Sequence, residues 1–174
     1  MNQSPDLRLL SWNILAPCWV NPAWYPSLYQ IAANHQARIN KIGDWILSLK
    51  HDIVLIQEAQ QDLIPLLEQK LSALFLFYFI SNNPTKASVG NGLLTLIRKE
   101  WNRASEVTVM SDILDPERGE AIQIVTLSSK NIHIVNLHLD YTDRLLQAKM
   151  VQDKCHQLLD TIHPVAIMAG DLNA

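Results

Sequence analysis

Val165-Ala166-Ile167-Met168-Ala169-Gly170-Asp171-Leu172-Asn173 runs an apolar stretch straight into a carboxylate and a carboxamide. The run reads as a buried strand, and side chains at the carboxyl ends of strands in α/β folds project into the crevice where ligands bind. Three other runs end in the same way. Leu7-Arg8-Leu9-Leu10-Ser11-Trp12 leads to Asn13, Ile53-Val54-Leu55-Ile56-Gln57 leads to Glu58, and Ile132-His133-Ile134-Val135-Asn136-Leu137 leads to His138, with Asp140 close behind.

Working outward, the chain reads as an α/β alternation with a block of strands in the middle. Arg8 to Asn13 is the first strand, and Pro17, Pro22 and Pro26 then break regular structure across a loop rich in aromatics. Ile39, Ile42, Ile46 and Leu49 step by three and four, which predicts a helix with one apolar stripe, ended by His51-Asp52. Ile53 to Gln57 shows no polar alternation, as expected of a central strand buried on both faces. Leu63, Leu66, Leu67, Leu71 and Leu74 form a second helical stripe, which tolerates Pro65 if that residue sits in the first turn. Strands are then predicted over Phe75 to Ser81, Gly92 to Arg98, Val107 to Met110, Ala121 to Leu127 and Ile132 to His138. Asn82-Asn83-Pro84, Gly90-Asn91 and Ser128-Ser129-Lys130-Asn131 supply turns. Leu145, Ala148, Val151, Cys155, Leu158 and Ile162 predict a last helix, closed by Pro164. All three helical stripes are assigned to the core.

Composition narrows the function. A chain of 174 residues, 48% hydrophobic and 18% charged, is expected to be one globular domain. A net charge of −3 provides no basic footprint for tracking along a polyanion, because that binding rests on many Lys and Arg side chains facing phosphates. Cys18 and Cys155 match neither a disulfide framework nor a zinc spacing, which points to a reducing, cytoplasmic setting. Residues 1–6 do not read as a signal peptide. Leu71 to Ile80 is too short to span a bilayer, which takes roughly 20 residues. It reads as the end of a helix entering a buried strand, so no stable membrane association is expected.

The strand-end residues suggest a chemistry. Glu58 and Asp171 are hard oxygen donors, and Asn13 and Asn173 add neutral oxygens, a set that suits Mg²⁺ or Mn²⁺ better than zinc. An ion held by two carboxylates would neutralise a phosphoryl group and stabilise its leaving oxygen. With Leu172 turned inward, Asp171 and Asn173 would both address one attacking water, and His138 would donate to a phosphate oxygen as charge builds. Each residue also has a structural reading. Asn13 suits a turn, Glu58 could pair with a helix lysine, His138 could be a satisfied core histidine, and Asp171 could cap a following helix. Arg38 and Arg144 read as solvated or ion-paired. Trp19, Trp24, Tyr25 and Tyr29 read as local packing or as a surface for stacking on bases.

Ser11-Trp12-Asn13-Ile14-Leu15, Asp52-Ile53-Val54-Leu55-Ile56-Gln57-Glu58, Asn136-Leu137-His138-Leu139 and Gly170-Asp171-Leu172-Asn173 occur in the order seen in the endonuclease/exonuclease/phosphatase superfamily, with its deoxyribonuclease I-like fold. The resemblance covers essentially the whole chain. The Asn13-Ile14-Leu15-Ala16 start, the loop with Trp24 and Tyr25, and Arg38 most resemble the nocturnin-type deadenylase branch. The resemblance implies an α/β fold, a four-layer α/β/β/α sandwich with an Mg²⁺ site at the edge of two facing sheets. It implies that Glu58 is the metal ligand with Asn13 beside it. It further implies that Asp171 and Asn173 position water and phosphate, that His138 contacts the phosphate, and that water attacks a phosphoester in line without a covalent intermediate.

Family members continue past the Gly-Asp-Leu-Asn motif with more strands, another aspartate, and a Ser-Asp-His segment that carries the proposed general base. Residues 1–174 are therefore expected to form a single domain of this family that lacks its C-terminal part, with the second half of the sandwich incomplete. His156 and His163 do not match the missing base. The expected activity is an impaired Mg²⁺-dependent phosphoester hydrolase acting on nucleic acid or a phosphorylated small molecule, with a complementing C-terminal fragment as a possible partner. The competing expectation is a non-catalytic binding module, or a fragment without activity.

Overall fold

The computed structural model describes residues 6–82, 91–105, 107–115, 119–140, 142–158 and 165–173. In chain order it contains β1 (Leu9–Asn13), α1 (Tyr29–Ala33), α2 (His35–Leu49), β2 (Ile53–Gln60), α3 (Ile64–Leu71), β3 (Phe75–Ser81), β4 (Asn91–Arg98), α4 (Lys99–Ser105), β5 (Val107–Asp115), β6 (Glu120–Leu127), β7 (Ile132–His138), α5 (Arg144–Leu158) and β8 (Val165–Asp171). The strands form two four-stranded sheets, ordered β1-β2-β4-β3 and β5-β6-β7-β8. Within them β1 runs parallel to β2 and β7 parallel to β8, while the other pairings are antiparallel. Both parallel pairs carry candidate residues at their carboxyl ends, and the sheets face one another.

Three apolar layers make this an α/β/β/α sandwich. Ile39, Ile42 and Ile46 of α2 and Leu67 and Leu71 of α3 pack on Val54, Ile56, Leu94 and Leu96 of the first sheet. Val151 and Cys155 of α5 pack on Ile122, Ile124, Val135 and Leu137 of the second. Between the sheets lie Ile53, Leu55, Ile97, Val125, Leu127 and Ile134. Local signals set the helix ends: the Asn34 side chain caps α2 by accepting from the Ala37 N–H at 3.2 Å, and Pro65 falls in the first turn of α3.

Several expectations change. β2 runs on to Gln60 rather than stopping at Gln57. β5 continues through Ser111 and Asp112 to Asp115, since an edge strand keeps its polar side chains in water. α4 was not foreseen, and the expected turn after β6 is a 3₁₀ turn, Ser128–Lys130, followed by a left-handed Asn131. The last helical stripe is wrong at its start: Leu145 is 84% exposed and Ala148 is also exposed, whereas Gln147 is fully buried. That turn of α5 faces Asp115 and the Asp140 backbone, where the Gln147 amide is hydrogen-bonded, instead of the apolar layer. Leu49 and Leu74, also assigned to the core, are 39% and 40% exposed. The parts of the predicted turns at Asn83-Pro84 and Gly90 lie outside the described residues, as do Ile162, His163 and Pro164. Among the described residues no helix is long and apolar enough to cross a membrane.

Candidate active site

Successive strand side chains point to opposite faces, so the residues facing the gap between the sheets recur every second position. Leu9, Ser11 and Asn13 share that face, as do Ile134, Asn136 and His138, and Ile167, Ala169 and Asp171. In β2 the inward series is Ile53, Leu55 and Gln57, which on its own would turn Glu58 outward. A bulge prevents this. Ile56 pairs with Leu94 and Ala59 with Gly92, so Gln57 and Glu58 together oppose the single residue Leu93. Glu58 takes a left-handed backbone, φ 57°, which re-aims its carboxylate into the cleft. Such a conformation in a non-glycine residue costs on the order of 1–3 kcal/mol, strain of the kind that accumulates at functional sites.

The five residues singled out in the sequence meet here. The Asn13 Nδ2 amide donates to Glu58 Oε1 at 2.7 Å and to Asp171 Oδ2 at 2.8 Å. Its own oxygen accepts from the Leu15 N–H at 2.9 Å. A reversed amide would set oxygen against two carboxylates and nitrogen against an N–H, so the network itself decides the orientation. Asn13 thus offers nitrogen, not oxygen, to the cluster. The other Glu58 oxygen accepts from the Ala16 N–H at 2.8 Å, and Asp171 Oδ1 accepts from the Asn173 N–H at 2.9 Å.

His138 Nε2 lies 3.9 Å from Glu58 Oε1 and 3.8 Å from Asp171 Oδ2. Ligand atoms of Glu58, His138 and Asp171 all fall within 4.8 Å of one another. The Asn173 amide reaches the same histidine nitrogen at 3.2 Å and donates to the Leu139 carbonyl at 2.5 Å. Burial acts to raise the Asp171 carboxyl, but the Asn13 amide, the Asn173 N–H and the nearby His138 together outweigh it and hold the group below its ordinary value. It is therefore an anion at neutral pH. Two carboxylate oxygens aimed at one point beside an imidazole form a donor set that fits a divalent cation. Leu172 does not turn inward as expected: it is 48% exposed, because β8 ends at Asp171 and Asn173 adopts a left-handed backbone, φ 50°.

Other residues behave differently from their sequence reading. Arg38 is neither solvated nor ion-paired in the ordinary way; its guanidinium donates to the Ile14 carbonyl and, at 2.8 Å, to the Leu15 carbonyl. It therefore ties α2 to the loop whose Leu15 N–H donates to Asn13 and whose Ala16 N–H donates to Glu58. Burial lowers its pKa against the pull of Glu58, yet a guanidinium stays charged. Asp140 turns the chain toward α5, accepting from the Thr142 N–H at 2.8 Å, and Arg144 donates to the Asn173 carbonyl at 3.2 Å. Trp24 is 63% exposed, so the aromatic loop is not simply packed away.

Sequence reasoning also missed a buried polar layer just below the cluster. Gln57 Nε2 donates to Asn136 Oδ1 at 2.8 Å, joining the two sheets, and Thr95 Oγ1 donates to Gln123 Oε1 at 2.8 Å. The signal was available, because Gln57, Thr95, Gln123 and Asn136 each follow directly on apolar strand residues, a costly placement unless the group is paired.

The chain matches the family model described as "Endonuclease/Exonuclease/phosphatase family" over residues 10–174. No curated protein matches it in sequence. Among solved structures, ANGEL2, a 2',3'-cyclic phosphatase, superposes with a TM-score of 0.73 at 18% identity, over 97% of this chain and 53% of that one. An endonuclease/exonuclease/phosphatase from Bacteroides vulgatus gives 0.71 at 19% identity, covering 98% and 67%. TDP2 from Caenorhabditis elegans gives 0.62 at 20% identity, covering 97% and 47%. The chain thus spans about half the length of ANGEL2 and of TDP2.

Proposed function

The chain belongs to the endonuclease/exonuclease/phosphatase family, and from that premise we propose that it carries the cation-binding half of a phosphoester hydrolase dependent on Mg²⁺ or Mn²⁺. The observation that carries this reading is the convergence of Glu58 Oε1 and Asp171 Oδ2 on the single Asn13 amide, with His138 Nε2 within 3.9 Å of both. Two anionic oxygens so close together repel unless a positive charge joins them.

In this proposal Glu58 holds the ion, and Asn13, beside it in the site, keeps the two carboxylates at a fixed separation. When bound, the ion supplies positive charge against the phosphoryl oxygens and the leaving oxygen. Asp171 and Asn173 orient the attacking water for in-line displacement. His138, flanked by two carboxylates, donates to a non-bridging oxygen as negative charge develops. Substrates are phosphoesters, either nucleic acid or a phosphorylated small molecule. The exposed Trp24 with Trp19 and Tyr29 gives a base something to stack on, in line with the nocturnin-type branch.

This chain covers only about half the length of ANGEL2 and of TDP2, and we propose weak activity for the 174-residue chain by itself and a complementing C-terminal segment as its partner. Both described cysteines are free, which suits a cytoplasmic setting. The test is turnover of bis-p-nitrophenyl phosphate by the purified chain with Mg²⁺ or Mn²⁺, alongside Glu58→Gln and Asp171→Asn. Slow, ion-dependent hydrolysis lost in both variants is expected. A chain that neither binds the ion nor turns over would leave the non-catalytic alternative standing.

A further inference from the structure

Along the gap between the sheets the chemistry changes in steps. Ile53, Leu55, Ile97, Val125, Leu127 and Ile134 form an apolar floor. Gln57, Thr95, Gln123 and Asn136, all 1% exposed or less, form an amide and hydroxyl layer above it. The cluster of Glu58, His138 and Asp171 then lies at the rim. The middle layer crosses from one sheet to the other. Gln57 donates to Asn136, Asn136 Nδ2 reaches Thr95 Oγ1 at 3.3 Å and Gln123 Oε1 at 3.4 Å, and Gln123 Nε2 donates to the Tyr78 carbonyl at 3.0 Å.

We infer that the Gln57–Asn136 hydrogen bond, the member of this layer next to the cluster, sets the local alignment of β2 on β7, and so positions Glu58 against His138 and Asp171. This rests on the cation-site reading above. Ladder hydrogen bonds fix strands within a sheet but not one sheet against the next, and apolar contact between sheets is non-directional. A hydrogen bond between buried amides has a direction and a length, so it resists sliding. Gln57 is joined to Glu58 through one peptide bond inside the bulge. Asn136 lies two residues before His138 on the same strand face, and His138 pairs with Asp171 in register across β7 and β8. Relative movement of the sheets would therefore carry His138 and Asp171 together away from Glu58. An ion such as Mg²⁺, with short bonds and a strict octahedral preference, tolerates little of that movement.

Gln57 and Asn136 are thus positioning residues, and the prediction separates that role from simple stabilisation. Replacing both members of a buried hydrogen-bonded pair with apolar groups of similar shape is close to neutral for stability. The Thr95–Gln123 bond between β4 and β6 would remain in such a variant and keep the sheets joined, while β2 and β7 lose their direct link beside the cluster.

The experiment compares the wild-type chain, the double variant Gln57→Met/Asn136→Leu, and Glu58→Gln. Each is titrated with Mn²⁺, free ion being read by electron paramagnetic resonance, and each is melted without ion. The expected result is a double variant that melts within a few degrees of wild type and binds Mn²⁺ about tenfold or more weakly. Retained affinity, or an affinity loss matched by a large fall in melting temperature, overturns the inference. If the double variant does not fold, Gln57→Met alone, which also breaks the Gln57–Asn136 bond, is judged by the same two measurements and the same threshold of about tenfold. A wild-type chain that binds no Mn²⁺, or a Glu58→Gln chain that binds it equally well, removes the cation-site reading and this inference with it. Binding that is lost in Glu58→Gln but kept in the double variant overturns the positioning role alone.

Discussion

Gly170 lies so close to Leu137 on the neighbouring strand that a Cβ at position 170 would stand 1.9 Å from the Leu137 carbonyl oxygen. The backbone there also has φ 151°, a conformation that side chains disfavour. Asp171 follows directly, and its carbonyl accepts from the Leu139 N–H at 2.9 Å, so the glycine lets β8 deliver its carboxylate beside His138. Gly170→Ala is expected to cost roughly 3 kcal/mol or more and to abolish ion binding in whatever fraction folds. Urea unfolding and Mn²⁺ titration measure the two effects.

Glu58→Gln is expected to lower the melting temperature modestly in the absence of ion. Both Glu58 carboxylate oxygens accept, one from the Asn13 amide and one from the Ala16 N–H, and an amide NH2 must face one of these donors. The rise in melting temperature that Mg²⁺ or Mn²⁺ produces in the wild type should vanish in this variant, because stabilisation by a ligand requires its binding. A variant that keeps the ion-induced shift would contradict the proposed site.

Arg38→Ala removes two charge-assisted hydrogen bonds to the Ile14 and Leu15 carbonyls. Each carbonyl lies next to a group that holds Asn13 or Glu58, so both stability and ion affinity should fall. The expected destabilisation is roughly 1.5–3 kcal/mol. Arg38→Lys should recover only part of it, since an ammonium has no planar fork to span two acceptors. Denaturant melts of the two variants provide the comparison.

His133 is buried on β7, its Nδ1 3.0 Å from Thr126 Oγ1, and burial lowers its pKa from the ordinary 6.5. Burial lowers His35 as well, with Arg38 adding to the effect. A folded state that prefers the neutral ring binds fewer protons than the unfolded chain. The stabilisation is therefore present above the ordinary value and is lost as pH falls below it and through the depressed value of the folded state. The melting temperature should hold above about pH 7 and drop as pH falls from about 6.5 toward about 5, and His133→Gln should flatten that slope. Asp171, held low, acts in a separate and more acidic window.

Much of the fold was legible because it is written in short-range periodicity. Ile39, Ile42 and Ile46 mark the buried face of α2, and β3 and β7 occupy Phe75–Ser81 and Ile132–His138 as read from their apolar runs. Where the period failed, a tertiary partner had overridden it: Leu145 is in water because Gln147 has Asp115 and the Asp140 N–H to satisfy.

The candidate residues divide along the same line. Asn13, His138 and Asp171 follow from strand ends and a period of two, so the order of residues alone was enough to place them on one rim. Glu58 does not follow, because its inward turn depends on a bulge that exists only when β4 pairs with β2. Arg38 and the Gln57–Asn136 bond were likewise invisible, since their partners are 24 and 79 residues away in the chain. Which side chains are apolar, and at what spacing, is a property of the sequence. Which buried polar group meets which depends on two sheets closing on one another, and only the tertiary structure sets that distance.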